Sequence, residues 1–163
     1  MRRIVILGCA GAGKTSLALR IGQCLGMPVI CLDAIWQPGW GDADVPRFRA
    51  LVAAAHEGDA WVSDGNFAQV SFDLRLPRAE LVVWLERPLL LCAWRALTRT
   101  LRRGEAHRLR DTAKVLRYIR GFNRTNRKLI EAQRCAHGPL VPVLRLASDT
   151  EIEGFLDDIS ARR

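Results

Sequence analysis

A glycine-rich segment near the start of the chain constrains the fold more than any other feature of the sequence. Residues 8–15 read GCAGAGKT, and the apolar run IVIL at residues 4–7 precedes them. A short apolar run rich in β-branched residues that ends at glycine is typical of a buried parallel strand. After Lys14, apolar residues recur at helical spacing until Gly26, which is a common helix stop. The sequence therefore predicts a strand, a glycine loop and a helix in direct succession.

The loop has the pattern G-x-x-x-x-G-K-T in the structural context that this pattern requires. Glycines let consecutive backbone N–H groups turn toward phosphates, and the start of the next helix adds its positive dipole end. Lys14 then reaches the β- and γ-phosphates as a catalytic residue, and the Thr15 hydroxyl binds Mg2+. The pattern thus predicts a P-loop that binds ATP with Mg2+. Its predicted nucleotide-binding residues are Gly8, Gly11, Ala12, Gly13, Lys14, Thr15 and Ser16.

Strand and helix patterns alternate along the rest of the chain. Four further strands are predicted at residues 28–32, 61–63, 81–85 and 141–146. Helices are predicted around residues 48–55, from residue 90, over residues 111–134 with a break at Gly121, and after the capping box of Ser148 and Glu151. This alternation predicts an α/β fold, a three-layer sandwich with a five-stranded parallel sheet, in one domain spanning residues 1–163. Ligands of such sheets bind at the carboxyl ends of the strands.

Two aspartates are predicted at those strand ends. Asp64 closes the strand at residues 61–63, which makes it the predicted second magnesium ligand; a simple Asp-Gly turn is the alternative. Asp33 ends the second strand ahead of an aromatic, turn-rich segment. It is the predicted catalytic carboxylate on the substrate side, where it orients or deprotonates an acceptor hydroxyl. A helix cap or a loop brace is the alternative for Asp33.

The helix that begins near residue 90 combines an apolar stripe with a basic face. The stripe consists of Leu90, Trp94, Leu97 and Leu101, and such stripes are typical of a face that packs on a core. Arg95, Arg99 and Arg102 lie on one face beside it, and like charges so placed repel unless an anion faces them. A solvated basic face is the alternative. Further basic residues, Arg103, His107, Arg108 and Arg110, surround Gly104.

The overall charge and the cysteine pattern narrow the class of partners and sites. The net charge of +8 points to anionic partners, namely nucleotides, phosphorylated metabolites or nucleic acid. The five cysteines are scattered and never spaced as C-x-x-C, so neither a disulfide framework nor a zinc site is expected. Without an apolar run long enough to span a membrane, a cytoplasmic protein is expected. His56 and His137 have no recognisable partner in the sequence.

These residues resemble the small adenylate-kinase-like P-loop ATPases of the topology-modulation (FlaR-like) family. Besides the P-loop, the likeness rests on the segments LDA at 32–34, PGW at 38–40, DGNF at 64–67, DLRL at 73–76 and VVWL at 82–85. The resemblance implies a sheet of strand order 2-3-1-4-5, ATP with Mg2+, and arginines on a short lid near residues 103–111. It also implies that Arg95 and Arg99 bind the nucleotide. Because Arg99 lies late on its helix and Arg108 just past Gly104, these two are the predicted catalytic arginines.

The function predicted from these features is a kinase that transfers the γ-phosphate of ATP-Mg to a nucleotide or to a small anionic or hydroxylated metabolite. Two alternatives stay open: a nucleic-acid-associated P-loop ATPase and a nucleotide-binding regulatory module. The positions of the aromatic residues count against the nucleic-acid alternative, because Trp94, Tyr118 and Phe122 are expected on or near apolar stripes rather than on a stacking surface.

Overall fold

Eight helices and five strands are resolved in the computed structural model, which describes residues 1–102 and 109–161. Two short 3-10 helices, at Asp42–Asp44 and Leu76–Arg78, and a π-helical turn at Phe122–Asn126 lie between the main elements. In chain order the main elements are β1 (Arg3–Gly8), α1 (Lys14–Leu25), β2 (Val29–Cys31), α2 (Leu32–Ile35), α3 (Val45–Ala55), β3 (Trp61–Asp64), α4 (Ala68–Arg75), β4 (Leu81–Leu85), α5 (Leu89–Arg102), α6 (Leu109–Gly121), α7 (Arg127–His137), β5 (Val143–Leu146) and α8 (Asp149–Ala161).

The strands form one parallel sheet in the order β2-β3-β1-β4-β5. Both the predicted α/β sandwich and the implied strand order are confirmed. In the register of this sheet, Ile6 of β1 lies opposite Asp64 of β3 on one side and Val83 of β4 on the other. The register therefore brings the end of β3 beside the loop that follows β1, where ligands of parallel sheets collect.

The centre of the sheet is buried on both faces. Ile4, Val5, Ile6 and Leu7 of β1 have no exposed surface, which explains why this strand is a continuous apolar run rather than an alternating one. Burial of each such side chain contributes about 1.5–3 kcal/mol of hydrophobic free energy. A second, smaller cluster forms around Leu32, Phe48 and Val52 and includes the rings of Trp36 and Phe67.

The second strand ends earlier than predicted, because β2 stops at Cys31. Asp33 was predicted to end this strand, and instead it lies in α2, a single helical turn in which Trp36 N–H bonds the carbonyl of Leu32 at 3.0 Å. Leu32 has no exposed surface and anchors the second cluster, so the chain turns there into a helix rather than continuing along the sheet.

Helix α4 was not predicted, and its composition explains why. Its buried face consists of Ala68, Ser71, Phe72 and Arg75, so two of the four buried residues are polar. Hydrophobic periodicity is the main signal of a helix in a sequence, and a helix that buries an arginine and a serine does not show it.

The apolar stripe of α5 is oriented differently from the prediction. The side chains of Leu90 and Trp94 are 86% and 64% exposed, whereas Cys92 and Ala96 are buried. Small residues let α5 approach the glycine loop so closely that a Cβ on Gly11 would lie 2.2 Å from the carbonyl oxygen of Cys92. Cys9 and Cys92 are both buried in the same core cluster. Helix α5 therefore packs through its small residues.

Other local predictions are confirmed. Glu151 N–H bonds the Ser148 hydroxyl at 3.1 Å, and Ser148 N–H bonds the Glu151 carboxylate at 3.1 Å, which completes the capping box of α8. The break expected at Gly121 occurs where α6 ends and the π-helical turn begins.

Within the described ranges, no helix is both long and apolar enough to cross a membrane. The five cysteines, all in the described part of the chain, form no disulfide.

Candidate nucleotide and acceptor site

The glycine loop has the backbone conformation of a cradle. Gly8, Gly11 and Gly13 adopt φ angles of 146°, 80° and 98°, a region that other residues rarely enter. Gly13 is the N-cap residue of α1, so the first free N–H groups of this helix point toward the loop. The ammonium group of Lys14 donates to the carbonyl of Cys9 at 3.1 Å and braces the loop from inside. The arrangement can surround an anion with backbone N–H groups.

Thr15 and Asp64 meet beside this loop, as the sequence predicted. The Thr15 hydroxyl donates to Oδ2 of Asp64 at 2.5 Å. Asp64 is 1% exposed, and its other oxygen, Oδ1, is buried without a hydrogen-bond partner. A buried carboxylate oxygen without a partner is costly, and a cation or a cation-bound water would satisfy it. A hydroxyl and a carboxylate are also the ligand types that Mg2+ prefers, so the pair fits this ion.

Asn66 clamps the start of the loop, a role that its place in the DGNF segment did not reveal. Its Oδ1 accepts a hydrogen bond from Gly8 N–H at 3.2 Å, and its Nδ2 donates to the Gly8 carbonyl at 2.9 Å. Nδ2 also donates to the Tyr118 hydroxyl at 3.1 Å. One side chain thus connects β3, the glycine loop and α6.

A series of buried, hydrogen-bonded polar side chains supports the turn that contains Asn66. Arg75 donates to the carbonyls of Gly65 at 3.0 Å and Asn66 at 2.7 Å, and to the Ser63 hydroxyl at 2.9 Å. Ser63 lies 2.8 Å from Nε2 of His56, and Nδ1 of His56 lies 2.6 Å from a backbone carbonyl of α3. Because that carbonyl requires a donor, we assign the proton of His56 to Nδ1, which leaves Nε2 to accept from Ser63.

Burial shifts the pKa values of His56 and Arg75, the two residues at the ends of this series of hydrogen bonds. It lowers the pKa of His56 to about 4, and the nearby positive charge of Arg75 adds to this effect. It also lowers the pKa of Arg75 to about 9, so the guanidinium stays charged at neutral pH. Neither role was predicted from the sequence, since His56 has no recognisable partner there and the DLRL segment at 73–76 does not reveal that its arginine is buried.

Asp33 and Lys14 face each other across a cavity of about 250 Å³, which Asn66, Phe67 and Tyr118 also line. Burial raises the pKa of the Asp33 carboxyl, while the charges of Lys14 and Arg99 act in the opposite direction. Phe67 has a φ of 38°, the one positive value among non-glycine residues in the described part of the chain. Such strain is typical of positions where a side chain must be aimed at a site. The structure thus brings Asp33 to the site from α2 rather than from a strand end.

A second cavity, of about 320 Å³, lies on the other side of the glycine loop. Gly13 and Ser16 line one wall, and Arg95, Asp149 and Ile152 line others. One guanidinium nitrogen of Arg95 lies 4.0 Å from the Asp149 carboxylate, and the other would lie 3.6 Å from a Cβ on Gly13. Arg95 is therefore placed beside the loop, next to a cavity that can take the nucleoside part of a nucleotide.

Two further arginines, Arg99 and Arg108, are the predicted catalytic arginines. Arg99 is exposed on α5 and lies close enough to Asp33 to lower the pKa of that carboxyl. Arg108 and most of the predicted lid, residues 103–108, lie outside the described residues. Catalytic roles for Arg99 and Arg108 stay predictions.

Comparison with known proteins relates this chain to others through its fold. No family model matches the chain, and no curated protein matches it. Among solved structures, a shikimate kinase from Acinetobacter baumannii in complex with shikimate is 15% identical, with a TM-score of 0.65 over 100% of this chain and 95% of that one. A shikimate kinase from Bacteroides thetaiotaomicron is 20% identical, with a TM-score of 0.61 over 99% and 97% of the two chains. A deoxyadenosine kinase from M. mycoides is 12% identical, with a TM-score of 0.54 over 98% and 99%. At these identities the likeness establishes the fold, an adenylate-kinase-like P-loop fold. It does not establish the topology-modulation family.

Proposed function

We propose that this protein is a kinase that binds ATP-Mg at residues 8–16 and transfers the γ-phosphate to an acceptor hydroxyl. The observation that carries this proposal is the meeting of Thr15 with the buried, half-satisfied carboxylate of Asp64 beside the glycine loop. A second carboxylate, Asp33, faces Lys14 across a cavity that has room for an acceptor. The shared fold with proteins described as shikimate and deoxyadenosine kinases supports the same reaction class.

Each side chain has a distinct task in this reaction. The backbone N–H groups of the loop and Lys14 bind the phosphates, while Thr15 and Asp64 would hold Mg2+, which would supply positive charge beside the β- and γ-phosphates. The acceptor oxygen attacks the γ-phosphorus, the bond from that phosphorus to the bridging oxygen breaks, and ADP leaves. Asp33 receives the proton of the acceptor hydroxyl. Its raised pKa makes the carboxylate a stronger base than an ordinary aspartate.

The arginines supply electrostatic stabilisation. Arg95 binds the nucleotide beside Gly13, and Arg99 acts from α5 through its electrostatic interaction with Asp33. In the transition state negative charge develops on the leaving oxygen beside the transferring group, so these cations act mainly on the chemical step. Arg108 is proposed to join them from the lid.

Binding is tested by calorimetry with ATP-Mg. Lys14→Ala should weaken binding at least tenfold, because it removes the one ammonium group of the loop. Lys128→Ala, which removes an exposed positive charge on α7, is the matched control and should bind as the parent does. Equal affinity of folded Lys14→Ala and parent would contradict the proposal.

The two aspartates should fail in different ways. Asp64→Asn should raise the Mg2+ concentration needed for half-maximal ATP binding, because it removes the charge that faces the cation. Asp33→Asn should reduce transfer at least a hundredfold with ATP affinity nearly unchanged, since it removes only the proton acceptor. If both variants lose the same property, this division of tasks is wrong.

One observation favours the alternative of a nucleic-acid-associated ATPase. The expectation that Trp94 lies on a buried stripe was wrong: its indole is 64% exposed on α5, and an exposed aromatic side chain on a basic helix is suited to stacking on bases. ATP turnover measured with and without DNA, over a series of salt concentrations, distinguishes the kinase from the nucleic-acid-associated ATPase. A kinase needs no DNA, and Trp94→Ala should leave its turnover unchanged. Turnover that requires DNA and falls in Trp94→Ala would favour the alternative.

A further inference from the structure

A thiol lies beside the carboxylate that is proposed to hold Mg2+. Cys31 is the last residue of β2, and the register of the parallel sheet places it opposite Asp64, the last residue of β3. The Cys31 thiol donates to Oδ2 of Asp64, with 3.7 Å between sulfur and oxygen. The Thr15 hydroxyl donates to the same oxygen at 2.5 Å. A sulfur atom, a carboxylate and a hydroxyl therefore meet at the proposed cation site.

A magnesium site gains nothing from this sulfur. Mg2+ is a hard cation that takes oxygen ligands, whereas thiolates select softer cations such as Zn2+. A thiol is also a weak hydrogen-bond donor, so a hydroxyl at position 31 would support the carboxylate of Asp64 at least as well. What the sulfur adds to the site is affinity for a thiophilic cation.

The spacing of the two side chains suits a bound metal ion. Typical Zn–S and Zn–O distances of about 2.3 and 2.0 Å, at a tetrahedral angle, place the sulfur and the oxygen about 3.5 Å apart. The observed separation of Cys31 Sγ and Asp64 Oδ2 is 3.7 Å, so a cation can bind both with little movement of either side chain. Oδ1 of Asp64 is buried without a hydrogen-bond partner, so the carboxylate has acceptor capacity left for a cation.

This group of ligands forms an open site rather than a closed one. Within the described ranges, no group of three or more His, Cys, Asp or Glu side chains is arranged to hold a metal ion. Open zinc sites keep a position for water or substrate. Cys31 is half-buried, so the residue is accessible from solvent. Burial raises the pKa of its thiol, which keeps its proton until a metal ion displaces it.

We propose that this site also binds a thiophilic divalent cation of the zinc class, through the sulfur of Cys31 and the carboxylate of Asp64. Binding forms the metal–sulfur bond and releases the thiol proton to solvent. Because Asp64 serves both cations, the thiophilic cation excludes Mg2+ and thereby inhibits nucleotide binding. No sequence pattern predicted this site, because Cys31 and Asp64 are 33 positions apart and meet only in the sheet. The inference rests on the proposed kinase function, and it names a means of regulating that site.

Co2+ serves as the spectroscopic probe of the site, because a cobalt–thiolate bond gives a charge-transfer band in the near ultraviolet that oxygen ligands do not give. The full chain is titrated with Co2+ in the absence of nucleotide, and Zn2+ is then added. We expect the parent to develop the band and to lose it as Zn2+ displaces Co2+. Calorimetry with Zn2+ alone gives the Kd.

Cys31→Ser removes the sulfur and keeps a hydroxyl that can donate to Asp64. It should abolish the band and weaken Zn2+ binding at least tenfold, since a metal ligand is lost. Asp64→Asn should also weaken Zn2+ binding at least tenfold, because both cations depend on this carboxylate. Cys135→Ser is the matched control: it removes the exposed cysteine of α7, and it should keep both the band and the affinity for Zn2+.

Inhibition is measured by calorimetry with ATP-Mg, with the same Zn2+ concentration in both solutions and ATP in excess over Zn2+. Chelation of Zn2+ by ATP is then the same for every variant. The apparent Kd of ATP-Mg should rise with Zn2+ in the parent and in Cys135→Ser. In Cys31→Ser the same relative rise should require roughly tenfold more Zn2+.

The inference is overturned by a parent Co2+ complex that lacks the charge-transfer band, by a band that survives in Cys31→Ser, or by Zn2+ affinity that is unchanged in Asp64→Asn. It is also overturned if Zn2+ inhibits the parent and Cys31→Ser equally. None of these results contradicts the kinase proposal. Loss of that proposal is recognised separately, by ATP-Mg binding without Zn2+ that is absent or independent of Lys14.

Discussion

The buried guanidinium of Arg75 should stabilise the protein far more than an exposed arginine with the same number of partners. Arg75 has no exposed surface and donates to Ser63 and to the carbonyls of Gly65 and Asn66. In Arg75→Met the two carbonyls lose their donors in a site that the side chain shields from water. Each unsatisfied buried acceptor costs about 1–3 kcal/mol. Relief from burying a charge offsets part of this cost, and we expect a net loss of about 3–5 kcal/mol in the free energy of unfolding.

Arg78 provides the matched control. It also donates to three oxygens, the carbonyls of His56, Glu57 and Gly58, but it is only half-buried. Water can replace its donors, so Arg78→Met should cost about 1 kcal/mol or less.

Urea unfolding at pH 7 measures both losses. Arg75→Met should lose at least about 2 kcal/mol more than Arg78→Met, and its affinity for ATP-Mg should fall as the turn of Asn66 loosens. If Arg75→Met does not fold, Arg75→Lys provides the measurement: it keeps the charge but not the forked donors, and its loss should lie between those of the other two variants. Losses that are equal in the Arg75 and Arg78 variants would refute the assignment of Arg75 as the support of this turn.

Three further predictions concern stability. Because the folded state lowers the pKa of His56 from 6.5 to about 4, the unfolded state binds more protons between these values, and the free energy of unfolding should fall by up to about 3 kcal/mol as the pH drops through this window. His56→Gln should lack this component in a urea series from pH 7 to pH 4, and parallel curves for the two proteins would argue against a buried neutral histidine. Gly11→Ala should destabilise the fold by about 2 kcal/mol or more and weaken ATP-Mg binding, since its Cβ would lie 2.2 Å from the Cys92 carbonyl oxygen at a φ of 80°; wild-type stability in this variant would disprove the close packing of α5. Gly154→Ala on α8 should raise the melting temperature through a gain of about 0.5–1 kcal/mol, because its Cβ would meet no atom within 4 Å; a loss instead would point to an unseen contact.

Structural features that depend on residues close together in the sequence were predicted correctly. The glycine loop, the apolar run of β1 and the capping box of Ser148 and Glu151 each depend on residues within a few positions of one another. Backbone conformation and local hydrogen bonds determine such features, so their residue pattern suffices. The pairing of Thr15 with Asp64 was also predictable, because the loop that follows β1 and the last residue of β3 lie at the same edge of a parallel sheet.

The orientation of α5 and the existence of α4 could not be obtained in this way. Leu90 and Trp94 form a regular stripe in the sequence, yet the helix buries Cys92 and Ala96 and brings the backbone of Cys92 so close to Gly11 that a Cβ there would not fit. Helix α4 buries Arg75, whose charge is acceptable only because carbonyls of another segment meet it. In both cases the partner surface, rather than the periodicity of the helix, decides which face is buried.

The sequence by itself determined that this chain forms a parallel α/β sheet with a glycine loop between β1 and α1, since that information lies in short patterns of glycine, apolar and capping residues. Tertiary structure alone decided which residues line the cavity beside this loop. Asn66 and Tyr118 are 52 positions apart in the sequence, and Asp33 lines the cavity from a helical turn that no sequence pattern predicted. Contacts between residues so far apart in the sequence depend on how whole helices and strands pack, and a local sequence pattern does not indicate which surface a residue will contact.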